Sequence, residues 1–140
     1  MRAEPDWEAA VDEMLRYDPP QQVIAHFTTG PTTLRGKRIP TGATVMAHVV
    51  ATNRDPAVFP APDRFDVGRR GERHLSLGMG VHHCVGAPLA KVEAEAAFRA
   101  LLNRLTALRL APGTAFPRGP DWMLRSAGAA PLLTGELLTC

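Results

Sequence analysis

Proline and glycine set the tightest limit on what this chain can fold into. With 13 prolines and 12 glycines in 140 residues, a helical pattern runs on for several turns in only two places. The first follows Asp6, a capping residue, and extends from Trp7 to about Tyr17. There Trp7, Ala10, Val11, Met14 and Leu15 gather on one face until Pro19-Pro20 stops the run. The second runs from Ala87 to about Leu108, with Pro88 in the first turn, where a missing N–H costs nothing. Its Ala94, Ala97, Phe98, Leu101, Leu102, Leu105 and Leu108 recur at helical spacing, and Lys91, Glu95, Arg99 and Asn103 fall four apart on the other side. One face of this helix is expected to be buried and the other wet.

Everything else reads as short extended pieces and loop. Val23 to Phe27 and Thr44 to His48 suit small strands, separated by turn clusters at Gly30-Pro31, Arg35-Gly36 and Pro40-Thr41-Gly42. Prolines at 56, 60 and 62 and Gly68 make residues 53–70 a meandering loop, and a loop so long is usually functional or tightly packed. The tail beyond Ala111 is again rich in Gly and Pro and leaves room only for short strands such as Trp122 to Arg125. The fold class is α+β: two main helices, small sheets and long loops.

Charge and composition exclude more than they assign. A net charge of +2 comes from arginines scattered among acidic residues, with no run of like charges that would suit nucleic acid or a membrane surface. No apolar stretch approaches the roughly 20 residues that cross a bilayer. The start, Met-Arg-Ala-Glu-Pro-Asp, lacks a signal-peptide layout. Two cysteines, Cys84 in mid-chain and Cys140 at the end, suit a reducing compartment, so a cytoplasmic protein is expected.

Cys84 stands in Leu77-Gly78-Met79-Gly80-Val81-His82-His83-Cys84-Val85-Gly86, a glycine-rich loop just ahead of the second helix. A helix N-terminus carries roughly half a positive charge and free N–H donors, which favours a thiolate there. Gly78, Gly80 and Gly86 remove side chains where a flat ligand would approach the backbone. A thiolate is a haem-iron ligand that pushes electron density onto the metal and favours O–O cleavage. Three other readings stand beside this one. Cys84 could be a small buried hydrophobe, a zinc ligand together with His82 and His83, or a nucleophile with a neighbouring histidine as base.

The loop resembles the cysteine-ligand loop of cytochromes P450, an aromatic residue followed by Gly-x-Gly-x-His/Arg-x-Cys-x-Gly, and every position matches except the first, which is Leu77. Glu13-Met14-Leu15-Arg16, followed by Tyr17-Asp18-Pro19-Pro20, is similar to the family's Glu-x-x-Arg helix. Asn53-Arg54-Asp55-Pro56 and Pro62-Asp63-Arg64-Phe65-Asp66 are similar to its meander. The resemblance covers about Trp7 to Leu108 and makes residues 1–140 a partial domain, roughly the C-terminal third of that fold. The long distal helix and most of the substrate pocket then lie outside it.

The resemblance implies haem b as cofactor, with Cys84 as the iron ligand and His82 contacting a propionate. Gly78, Gly80 and Gly86 shape the loop, while Leu77 replaces the usual aromatic neighbour of the thiolate. His26 falls where many bacterial members place a propionate-binding arginine, and its other reading is a strand histidine without a ligand role. Glu13 and Arg16 would form a buried charge cluster with Arg64; read locally, they are an exposed i,i+3 pair. The implied activity is monooxygenation of a small organic substrate with electrons from a ferredoxin or flavoprotein. The alternative is a haem-binding remnant without turnover. The turn from Ser126 to Pro131 lies where the family contacts substrate.

Overall fold

The computed structural model describes residues 5–71, 73–105, 108–113, 121–126 and 132–133. Helix α1, Trp7–Tyr17, starts where the sequence places it: the Asp6 carboxylate accepts the Ala9 N–H at 3.0 Å. Strand β1, Val23–Phe27, follows, then β2, Thr32–Leu34, β3, Lys37–Ile39, and β4, Thr44–His48. β1 and β4 pair antiparallel from Val23 opposite His48 to Phe27 opposite Thr44, enclosing the β2–β3 hairpin. The hairpin turns on Arg35 and Gly36, both at positive φ. A four-residue helix α2, Val49–Thr52, leaves β4 directly and ends at Asn53.

Residues 53–71 carry no regular element, and a 3₁₀ turn at Gly80–His82 leads to the long helix α3, Ala87–Arg104. Short strands β5, Arg109–Leu110, and β6, Leu132–Leu133, pair antiparallel. The core is small: Trp7, Ala10 and Val11 of α1, Val23, Val49, Phe59 of the meander and Ala87.

Two expectations fail. The apolar side of α3 is only partly covered: Ala94, Phe98 and Leu105 are half-buried, whereas Ala97, Leu101 and Leu102 are exposed, and the helix's one buried residue is Ala87 at its start. α1 is the main element packed against α3, and Leu101 and Leu102 farther along the helix stay exposed. Residues 122–125 also fail to form a strand. The Asp121 carboxylate accepts the N–H groups of Met123 and Leu124 and bends the backbone. Only a bridge between Gln21 and Leu124 remains. The turn at 127–131 and Cys140 lie outside the described residues.

Candidate functional site

The loop that carries Cys84 is closed by backbone hydrogen bonds. Gly78 N–H donates to Leu75 O at 3.0 Å, His83 N–H to Gly80 O at 3.1 Å and Cys84 N–H to Leu77 O at 2.8 Å. Gly78 has φ +73°, and a Cβ there would lie 2.4 Å from the His82 carbonyl oxygen, so no other residue fits without moving backbone. Gly80 also needs its positive φ, +61°. Gly86 is different: its φ is ordinary, and an added Cβ would rest 3.8 Å from the Cys84 sulfur. Its lack of a side chain leaves room beside the thiol.

Cys84 is exposed at the threshold of α3, and Ala87 N–H donates to its carbonyl at 3.1 Å. Around it Val81 and Val85 are almost completely exposed, and Met79 is 67% exposed. A thiol thus stands among exposed apolar side chains, with Gly80 before it and Gly86 after it. Leu77 is half-buried at the base of the loop.

The structure brings the two candidate propionate residues together. His26 on β1 and His82 in the turn place their ring centroids 5.4 Å apart at an interplanar angle of 66°, and both are exposed. Two imidazoles at one edge of a loop that bears a thiol among exposed apolar side chains are a donor set suited to a flat, mostly apolar group with an anionic rim. The residues therefore fit haem. Among the described residues, no three His, Cys, Asp or Glu side chains converge as a metal-binding group, so His82, His83 and Cys84 do not form a zinc cluster.

The charge cluster is buried, and its third member differs from the expected one. Glu13 and Arg16 form a two-pronged pair, with Nε to Oε2 at 2.7 Å and Nη2 to Oε1 at 2.8 Å; each is at most 3% exposed. The neighbouring arginine is Arg69, whose Nε lies 3.3 Å from Glu13 Oε2. Arg64 points its side chain outward, with its Nε 3.9 Å from Asp66, and enters the cluster only through its backbone carbonyl. The physical reason is the course of the meander. Asp66 N–H donates to Glu13 Oε1, which turns the chain past Arg64 and swings Arg69 back onto the carbonyls of Pro60, Ala61 and Arg64. Burial alone would raise the Glu13 carboxyl. The hydrogen bonds from Arg16 and Asp66, with the charges of Arg16 and Arg69, outweigh it and hold the group below the ordinary carboxylate range.

Three further polar residues behind the loop, Asn53, Ser76 and His74, have no role legible in the sequence. Asn53 is fully buried, and Ser76 nearly so. Asn53 accepts the Leu75 N–H and donates to Ser76 Oγ, each at 2.8 Å. His74 accepts the Ser76 N–H on Nδ1 at 3.2 Å, which leaves its proton on Nε2, 3.5 Å from Asp12 Oδ1. Burial pushes His74 below the usual histidine range, against the opposing pull of Asp12. Lys91 of α3 meets the same carboxylate oxygen at 2.6 Å.

The family model for cytochrome P450 matches residues 5–127. The chain belongs to that family. It is 48% identical over 101 residues to 6-deoxyerythronolide B hydroxylase of Saccharopolyspora erythraea, covering 72% of this chain and 25% of that one. Against the cytochrome P450 monooxygenase PikC of Streptomyces venezuelae it is 42% identical over 128 residues, covering 89% and 30%. Among solved structures, P450BioI in complex with an acyl carrier protein bearing hexadec-9Z-enoic acid superposes with a TM-score of 0.88 at 35% identity, over 94% of this chain and 34% of that one. CalO2 gives 0.86 at 34% identity over the same shares. The chain thus spans between a quarter and a third of these cytochrome P450 relatives. The cofactor of the family is haem b. No helix among the described residues is long and apolar enough to cross a membrane.

Proposed function

We propose that this chain forms the iron-ligating part of a haem-thiolate monooxygenase that uses electrons from a ferredoxin or flavoprotein. The observation that carries the reading is Cys84 itself. It is an exposed thiol on a glycine-built turn at the start of α3, with His26 and His82 side by side at the edge of the same loop. When bound, haem supplies an iron centre at which molecular oxygen is reduced and one of its atoms is passed to an organic substrate.

The residues of the chain would hold that group and set its surroundings. Cys84 would supply the sulfur ligand from its exposed place at the start of α3. His82 and His26 would donate N–H groups to the haem propionates. Gly78, Gly80 and Gly86 let the backbone approach a flat face, and Leu77 fills the place of an aromatic neighbour. The Glu13–Arg16–Arg69 cluster fixes the meander beneath them and has no part in the chemistry.

Relatives named for hydroxylation of 6-deoxyerythronolide B and for hydroxylation and epoxidation of mycinamicin IV supply the first substrates to try. The test is turnover under isotopically labelled molecular oxygen by the haem-loaded protein containing this chain, with a ferredoxin and its reductase as electron source. One labelled atom in the product and the other in water is the expected result. Product oxygen drawn from solvent, or no turnover with any donor, would overturn the reading.

A further inference from the structure

We propose that Asn53 is the residue that positions Cys84. Its functional meaning rests on Cys84 being the iron ligand. The buried ion cluster is the obvious anchor for the loop, yet its hydrogen bonds go elsewhere. Arg16 and Arg69 donate to the carbonyls of residues 53, 60, 61, 62 and 64, all in the meander, and none reaches residues 74–86. The loop needs another hold.

Asn53 supplies it. Its backbone is fixed by closing α2, with N–H to Val49 O at 2.9 Å, and its side chain is fully buried. The amide uses both donors and an acceptor: Oδ1 takes the Leu75 N–H, and Nδ2 gives one proton to Ser76 Oγ and the other to Arg16 O at 3.3 Å. Ser76 Oγ passes its own proton to Leu15 O at 2.6 Å. Two of the last carbonyls of α1, those of Leu15 and Arg16, are thereby satisfied by residues 76 and 53. The residue after Ser76, Leu77, offers the carbonyl that receives the Cys84 N–H. One buried amide therefore links α1, α2 and the base of the turn that presents the sulfur. A carboxylate at this position would lack both donors and would face the Arg16 carbonyl oxygen.

The test is amide hydrogen exchange on the full chain, comparing wild type, Asn53→Asp, Ser76→Ala and a core control, Phe59→Leu. Exchange at the Cys84 amide is expected to quicken at least about tenfold in Asn53→Asp and in Ser76→Ala, the scale of one lost buried hydrogen bond, while α1 and the β1–β4 pair keep their rates. Phe59→Leu is expected to leave the Cys84 amide no faster than the rest of the chain. Wild-type exchange at Cys84 in both polar variants, or a uniform quickening everywhere, would overturn the proposal. If Asn53→Asp does not fold, Ser76→Ala decides alone. The haem-loaded variants supply a second readout, a larger fraction of iron without thiolate ligation than in wild type. A wild type lacking thiolate ligation would refute the reading of Cys84 as ligand, while the exchange rates would still decide whether Asn53 positions it.

Discussion

The imidazole of His26, on strand β1, stands edge to face with that of His82, in the turn before Cys84, at 5.4 Å between centroids. The antiparallel pairing of β1 with β4 holds the first ring, and the 3₁₀ turn at Gly80–His82 holds the second. If both rings bind propionates, His26→Ala and His82→Ala should each speed haem loss to an acceptor protein by about tenfold to a hundredfold, the range for a hydrogen bond to a charged group. The double variant should lose less than the sum of the two, because the rings share one environment. Unchanged haem loss in both single variants would remove these residues from the site.

The buried charge cluster makes a sharp distinction among arginines. Arg64→Ala should change stability by no more than about 0.5 kcal/mol, since that side chain is exposed and the cluster uses only its carbonyl. Glu13→Gln should cost about 3–5 kcal/mol by leaving the Arg16 and Arg69 cations buried without their counter-charge. Urea unfolding of the two variants beside wild type measures both. A larger loss in Arg64→Ala than in Glu13→Gln would contradict the geometry.

Stability should fall with acid in two windows. Glu13 has a lowered value in the folded state, so its contribution is complete above its ordinary value of 4.5 and is lost as pH falls through the lower folded value. His74 is also lowered, from 6.5. Below 6.5 the unfolded chain binds a proton that the folded chain refuses, so stability declines as pH drops from 6.5 toward the depressed value and is complete above 6.5. His74→Gln should flatten the upper window and Glu13→Gln the lower one in urea midpoints taken across pH. Identical slopes in variants and wild type would contradict both assignments.

The loop glycines should not be equivalent. Gly78→Ala forces a side chain into a positive φ and against the His82 carbonyl, and should cost about 1–3 kcal/mol or more. Gly86→Ala meets no such conflict and should stay within about 0.5 kcal/mol of wild type in thermal unfolding.

Local signals in the sequence were sufficient for the pieces and insufficient for how they meet. The Asp6 cap, the Pro19-Pro20 stop and the alternation around the turn clusters locate α1, β1 and β4 because such signals act within a few residues. The choice between Arg64 and Arg69 depends on how a proline-rich meander folds back on Glu13, and no local pattern encodes that. Asn53 stood in a recognisable segment, but its inward direction is set by partners in α1 and beyond residue 74. The apolar stripe of α3 was legible as a stripe; what covers it was not, because periodicity describes one helix and not its neighbour.

The sulfur of Cys84 is the atom on which the proposed iron site depends. The most direct measurement is the carbon monoxide difference spectrum of the reduced, haem-loaded protein, taken for wild type and for Cys84→Ala. Thiolate-bound iron should give a band at about 450 nm in wild type that is absent from the variant. A wild-type band at about 420 nm only, or a band at about 450 nm that survives in Cys84→Ala, would contradict the assignment of the ligand.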